Sequence, residues 1–398
     1  MSVGFMAFLS VLLVSALAAL IGPTRPRWVG VSGAVLATGW NELPLVALVL
    51  LVQSTWVAVT ADDLLEAPAG WGLLAVAVGT MAVFLELLRR GWRARAAVSQ
   101  ALGQTFAGTH DVRGTRSAWW TLLTPFPIRP WNVQRIGNLS YGPAGRRNRL
   151  DVYRRRSGVR GAPVLVYLHG GGYFSGSKRR EARAMLHRFA AQGWVCISAT
   201  YRLRPQVQFP DHLIDAKRAL AWVHEHCREL GADPSTLVMA GSSAGAHLTA
   251  LAALTPNDPA FQPGFEHADT SVTAAVCLYG YYGSYYGRDP LERPSSSPLH
   301  HPAAAAPPFF LAHGDRDGYV SVAGARAMHG KLLTESSEPV VYAQLPGGQH
   351  GFDLFRSLRS EAVITGIEVF TTRVLAQGRL AFGKGVADGL DRDQPGVR

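Results

Sequence analysis

Cysteine is scarce in this sequence: Cys196, Cys227 and Cys277 are the only three, and no two of them stand in CxxC spacing. That excludes a disulfide framework and a zinc ribbon, and leaves small apolar residues placed for packing. The odd count fits a reducing compartment. Phosphate-loop signatures are missing as well. Neither GxGxxG nor GxxxxGK[ST] occurs, which removes the usual backbone cradles for dinucleotides and nucleoside triphosphates. His300 and His301 have no partners at metal-ligand spacing, so neither a metal nor a cofactor is expected. Lysine is rare beside arginine and alanine is abundant, a bias that points to a GC-rich bacterial genome.

Acidic residues nearly vanish from one long stretch. Between Arg89 and Arg160, fifteen arginines face only Asp111 and Asp151, so this segment alone accounts for the formal net charge of +11. It directly follows a very apolar N-terminus. Basic residues in that position read as a juxtamembrane signal, against nucleic acid as a partner.

Charge is absent altogether from Val3 to Gly22, about 20 residues, enough to cross ~30 Å of hydrocarbon. A second candidate span runs from Leu43 to Thr60, and a third from about Trp71 to Leu88, with Glu86 near its end. Apolar residues 29–38 precede the second span, interrupted by Asn41, Glu42 and Pro44, as the start of a tilted or kinked helix. Arg25 and Arg27 follow the first span, Asp62, Asp63 and Glu66 separate the second from the third, and Arg89, Arg90, Arg93 and Arg95 follow the third. An odd number of spans with this charge pattern puts the N-terminus outside and everything after residue 90 in the cytoplasm. A cleaved signal peptide would carry a basic leading region, which is lacking here.

Four segments result: a transmembrane anchor at 1–90, a basic aromatic linker or cap at 91–131, a catalytic domain at 132–377 and a flexible tail at 378–398. In the linker, Trp119, Trp120, Phe126 and Trp131 lie among Arg113, Arg116 and Arg129, a mix that suits a membrane interface or a cap over the next domain. Prolines 125, 127 and 130 end any helix there.

From Asn132 onward, strand-like and helix-like segments alternate. "APVLVYLHGGG", "WVCISATYRL", "TLVMAG", "VTAAVCLYG", "PPFFLAHG" and "PVVYAQLPG" read as buried strands; "DHLIDAKRALAWVHEHCREL" and "AGAHLTALAAL" read as helices, with others near 181–192, 321–335 and 360–376. Such alternation predicts an α/β fold with a mostly parallel sheet, helices on both faces, and function at the carboxyl ends of the strands.

Gly241-Ser242-Ser243-Ala244-Gly245 matches G-x-S-x-G at a strand-to-helix junction, where a tight turn presents the central hydroxyl over the sheet edge. That makes Ser243 the candidate nucleophile and Ser242 a supporting residue. A serine needs a base and an orienting acid. His350, in a glycine-rich loop after a strand, is the candidate base; Asp315 or Asp317, just past the preceding strand, is the acid. "YLHGGGYFSG" supplies backbone N–H groups at Gly171 and Gly172, with that of Ala244, to meet a developing oxyanion.

Together, "HGGGYFSG", "YRLRPQVQFPDHLIDAKRALAWV", "GSSAG", "HGDRD" and "QHGF" resemble the α/β-hydrolases of the hormone-sensitive-lipase-like esterase and lipase group, over about residues 130–377. With three N-terminal spans the chain is similar to membrane-anchored actinobacterial lipase/esterase proteins. The resemblance implies Ser243 as nucleophile, His350 as base, and Asp317 over Asp315 as acid, through the H-G-x-x-D pattern. It also implies a membrane-anchored hydrolase of small-molecule or lipid-like esters. Ser242 and Ala246 stand where the group often has Asp and Gly. A tyrosine-rich insertion at 279–302, and a second at 255–272, are placed to reach the mouth of the site and shape an aromatic acyl pocket. An amidase or peptidase of the same fold, or a binding protein without catalysis, are the competing readings.

Overall fold

The computed structural model describes residues 3–22, 38–108, 121, 123–289 and 292–392, with backbone alone from 378 onward. Trp119, Trp120, Arg113 and Arg116 of the expected linker lie outside the described residues.

Three apolar helices form the N-terminal part: α1 (Val3–Ile21), α2 (Pro44–Thr60) and α3 (Pro68–Thr105). Pro44 and Pro68 open their helices, where a missing N–H costs nothing and a fixed φ is favourable. The helices meet along a seam of small residues that includes Ala16, Ala19, Ala47, Ala58 and Ala77. Leu9, Leu12, Leu51, Phe84 and Leu87 are buried with them, while other large apolar side chains point outward: Val14 is 63% exposed and Trp56 69%. Bulky apolar residues left on the outer face of a bundle are unlike the surface of a water-soluble one. Two of the helices, α1 and α3, are long and apolar enough to cross a membrane.

The linker expected from residue 91 does not begin there. α3 continues unbroken to Thr105, because proline is absent from the helix after Pro68. Ala94, Val98, Ala101 and Leu102 repeat at helical spacing and are buried against the main core. At about 1.5 Å per residue the helix is roughly 57 Å long. Its first half belongs to the apolar bundle and its second half covers the sheet.

The sheet has eight strands: β1 (Val133–Ser140), β2 (Arg149–Arg155), β3 (Ala162–Leu168), β4 (Val195–Ala199), β5 (Ala232–Ser242), β6 (Ala274–Leu278), β7 (Phe309–Gly314) and β8 (Val340–Leu345). Their order is β1-β2-β4-β3-β5-β6-β7-β8. The β1–β2 and β2–β4 pairs are antiparallel, and all others are parallel. Alternate residues face opposite layers, as a period of two requires. Leu165, Val238 and Phe310 join α3, α4 (Arg183–Ala191) and α8 (Leu358–Arg392) on one face. Val164, Val166 and Met239 join α5 (Asp211–His226) and α6 (Ala244–Leu254) on the other. α7 (Val322–Glu335) packs beside α6.

One further expectation is corrected. α8 runs to Arg392, through the segment read as a flexible tail; no proline interrupts it before Pro395. One arginine of the basic stretch has a structural role: Arg135, together with Lys178 and Arg179 from outside the stretch, neutralises the buried Asp151 carboxylate.

Candidate active site

β5 ends in Ser242, and α6 starts at Ala244, so the chain reverses within one residue. Ser243 takes φ +55°, ψ −115°, a conformation that costs a β-carbon residue energy and persists only under strong local constraint. The flanking glycines supply the room. A Cβ on Gly241 would lie 2.3 Å from Gly245 backbone, and one on Gly245 would lie 2.1 Å from the Leu168 carbonyl oxygen. Only hydrogen fits at either position, which is why the motif reads G-x-S-x-G.

His350 and Asp317 arrive from the loops after β8 and β7. The Ser243 hydroxyl donates to His350 Nε2 at 2.9 Å, and His350 Nδ1–H donates to Asp317 Oδ2 at 2.8 Å. The Asp317 side chain is fully buried. Burial pushes its acidity down, but the adjacent His350, reinforced by His313, overcomes this and holds the carboxyl well below the usual range. The backbone N–H groups of Tyr319 and Val320 both reach Asp317 Oδ1 at 2.8 Å, which fixes the carboxylate plane. Asp315, the other acid open at the sequence level, faces elsewhere and accepts from the Gly347 N–H at 2.7 Å.

The glycine loop after β3 folds directly over the elbow. A Cβ on Gly170 would come within 3.1 Å of Ser243 Cβ. Gly171 and Gly172 have φ of +114° and +58°, and a Cβ on Gly171 would collide with the Ser175 carbonyl at 2.1 Å. Neither glycine N–H is taken by an acceptor among the described residues. The Ala244 N–H belongs to the first turn of α6, where no intrahelical acceptor exists. His169 fastens the loop from behind. Burial pulls it down to about 4, its ring stacks on Tyr201, and its Nδ1–H donates to the Gly170 carbonyl at 2.7 Å.

Sequence reasoning missed a buried polar cluster beneath the elbow. Ser242 Oγ accepts from Tyr167 OH at 2.9 Å and donates to Asp353 Oδ2 at 2.7 Å. Tyr279 OH also donates to Asp353, and Glu181 Oε2 takes the Gly170 N–H at 2.5 Å. The available signal was Ser242 in the place of the group's usual Asp, with Asp353 three residues after His350. Burial, with nearby Glu181, raises Asp353 to about 7. The folded chain therefore keeps a proton that the unfolded chain releases above about pH 4, so stability falls as pH rises from about 4 to about 7. We expect Asp353→Asn to remove this part of the slope in thermal melts recorded between pH 4.5 and 7.5.

Aromatic side chains rim the opening. Phe174, Tyr281, Tyr286 and Tyr319 are each about half exposed. Tyr286 OH donates to the Gly172 carbonyl at 2.5 Å, and the Tyr319 ring lies 5.2 Å from that of His350. Arg204 sits over Phe174 and Tyr286 at 4.8 and 4.6 Å. The insertion at 255–272 does not join this rim. It wraps α5 instead, where Lys217 points to Thr255, Gln262 and Thr270. Its polar residues satisfy that buried ammonium, which burial lowers to about 8.

Residues 150–284 match the BD-FAE family model. A probable carboxylic ester hydrolase of Mycobacterium tuberculosis, LipM, is 41% identical over 73% of this chain and 75% of its own. A thermophilic esterase of Thermogutta terrifontis with butyrate bound superposes with TM-score 0.52 and 26% identity, over 62% of this chain and 95% of that one. The same esterase phosphoramylated by tabun gives TM-score 0.53 and 26% identity, over 64% and 97%. With this fold and a relative of that likeness across three quarters of its length, the chain belongs to the hormone-sensitive-lipase-like carboxylic ester hydrolases of the α/β-hydrolase fold.

Proposed function

We propose that the protein is a membrane-anchored serine esterase that cleaves hydrophobic, lipid-like esters through an acyl-enzyme, with Ser243, His350 and Asp317 as its catalytic triad. The observation that carries this reading is the continuous hydrogen-bonded row from Ser243 Oγ through His350 to Asp317, at 2.9 and 2.8 Å. Ser243 Oγ attacks the ester carbonyl carbon while His350 Nε2 takes its proton. The carbonyl oxygen becomes an oxyanion in front of the N–H groups of Gly171, Gly172 and Ala244, each such donor being worth about 2.7–4 kcal/mol in the transition state. Collapse breaks the bond to the alkoxy oxygen, which leaves with the proton from His350. Water then attacks the acyl-enzyme with the same base, and Ser243 regains its proton as the acid departs. Asp317 holds the imidazole tautomer and stabilises its charged form.

The aromatic rim supports an apolar acyl group, since half-exposed rings at a site mouth gain most by covering hydrocarbon. The outward apolar faces of α1, α2 and α3 support the anchor, because an apolar surface of that extent is stable only against lipid or another protein. α1 ends beside the catalytic domain, α2, shorter at 17 residues, leads away from it and α3 returns, a path that supports the anchor. Arginines 89, 90, 93 and 95 after the third support a cytoplasmic catalytic side. The test is fluorophosphonate labelling of membranes holding the full chain, followed by peptide mapping. The adduct is expected on Ser243, in a fraction that alkaline carbonate does not release. Labelling elsewhere refutes the nucleophile, and release by carbonate refutes the anchor.

A further inference from the structure

The N-terminal helices touch the catalytic loops at an unexpected place. The carbonyls that end a helix lack intrahelical donors. At the end of α1, the carbonyls of Ala19, Leu20 and Ile21 accept from Gln349 at 3.4 Å, Arg90 at 2.8 Å and Arg316 at 3.1 Å. Gln349 and Arg316 are the residues immediately before His350 and Asp317. Cationic donors at a helix C-terminus also complement its dipole.

The helical turn at 38–42 grips the same loop from the other side. Thr38 Oγ1 donates to the His350 carbonyl at 2.8 Å, and Asn41 Nδ2 donates to the Gly347 carbonyl at 3.0 Å. Glu42 forms a buried pair with Arg359, and Arg359 reaches the Pro346 carbonyl at 3.3 Å. Ser357 donates to the second Glu42 oxygen at 2.5 Å. A Cβ on Gly347 would lie 2.7 Å from Arg90 Cδ, so the loop is pressed against α3 as well.

This contact accounts for the polar interruption at Asn41 and Glu42 in an otherwise apolar N-terminus, since the Asn41 amide N–H and both Glu42 oxygens find their partners there. It also addresses a mechanical need. "PGGQHG", residues 346–351, holds three glycines and has little rigidity of its own. An imidazole on such a loop stays within hydrogen-bond reach of Ser243 only if its backbone is held from outside.

We propose that the N-terminal helices are the mount of the catalytic acid and base, with Thr38 and Asn41 as positioning residues for His350. The bundle is thereby part of the catalytic apparatus as well as an anchor. This inference rests on the reading of Ser243, Asp317 and His350 as the triad.

The test uses the full chain in detergent micelles, with p-nitrophenyl butyrate and a fluorophosphonate probe. Thr38→Val deletes one donor at nearly constant volume, and Asn41→Ala removes the second. We expect Thr38→Val to lower kcat about tenfold and the double variant about a hundredfold, the scale of an ångström-level misplacement. KM should stay within about twofold, probe labelling of Ser243 should slow in parallel, and Thr38→Ser should retain wild-type kcat. Thermal melts check folding; if the double variant is unfolded, the Thr38→Val and Thr38→Ser pair decides. A kcat within about twofold of wild type in Thr38→Val overturns the proposal, as does an equal loss in Thr38→Ser. Failure of the probe to label Ser243 in the wild-type chain would instead overturn the triad reading beneath it.

Discussion

Ser243→Ala should lower kcat for ester hydrolysis by about a million-fold, to the level left by substrate binding and oxyanion donors alone. No neighbouring group can take over. Ser242, one residue away, has its hydroxyl committed to Tyr167 and Asp353 behind the elbow. The side chain removed makes one hydrogen bond, to His350. Its loss therefore costs about 1 kcal/mol or less, or about 2–4 °C in Tm for a domain of this size. Steady-state assays with p-nitrophenyl butyrate, paired with thermal melts, separate the two quantities. A variant that keeps more than a thousandth of wild-type kcat would remove Ser243 from the mechanism.

Asp317→Asn should cost about 10,000-fold in kcat with KM nearly unchanged. The reason lies in how the carboxylate is held. Tyr319 and Val320 N–H groups both point at Oδ1, so an asparagine must place its carbonyl oxygen there. Its NH2 then occupies the position of Oδ2 and faces His350 Nδ1. The imidazole must accept at Nδ1 and carry its proton on Nε2, where it can no longer receive one from Ser243. Single-turnover measurements of p-nitrophenol release would locate the loss in acylation. An unchanged acylation rate would show that Asp317 serves packing alone.

The sheet was legible from Asn132 onward because its buried parallel strands are short and apolar, and all but β6 are followed by a helix. The residues that now lie in one row were legible for a related reason. Ser243, Asp317 and His350 each sit just beyond the carboxyl end of a strand, next to glycines that let the backbone turn. The choice between Asp315 and Asp317 was different: spacing left it open, the H-G-x-x-D pattern of the resemblance favoured Asp317, and the geometry separates the acid that meets His350 from the one that ties down Gly347. Helix limits read poorly. Glu86 and the arginines at 89, 90, 93 and 95 suggest the end of an apolar span, and the composition does change there, yet the Ala94, Val98, Ala101, Leu102 stripe carries the same helix onward. The clamp on the histidine loop was invisible, because Thr38 and Asn41 lie more than 300 positions before the carbonyls they bind. Long-range hydrogen bonds from side chain to backbone leave no periodic trace.

α3 has a mechanical consequence. A rod that starts in one medium and finishes in another, with neither proline nor loop between, allows no swivel at the boundary. With its apolar half embedded as proposed, the enzyme rides at fixed height and bearing above the headgroups, like a float on a stiff keel. Its supply of substrate is then set by lateral diffusion within the leaflet, and its rate should follow mole fraction in the bilayer instead of bulk molarity.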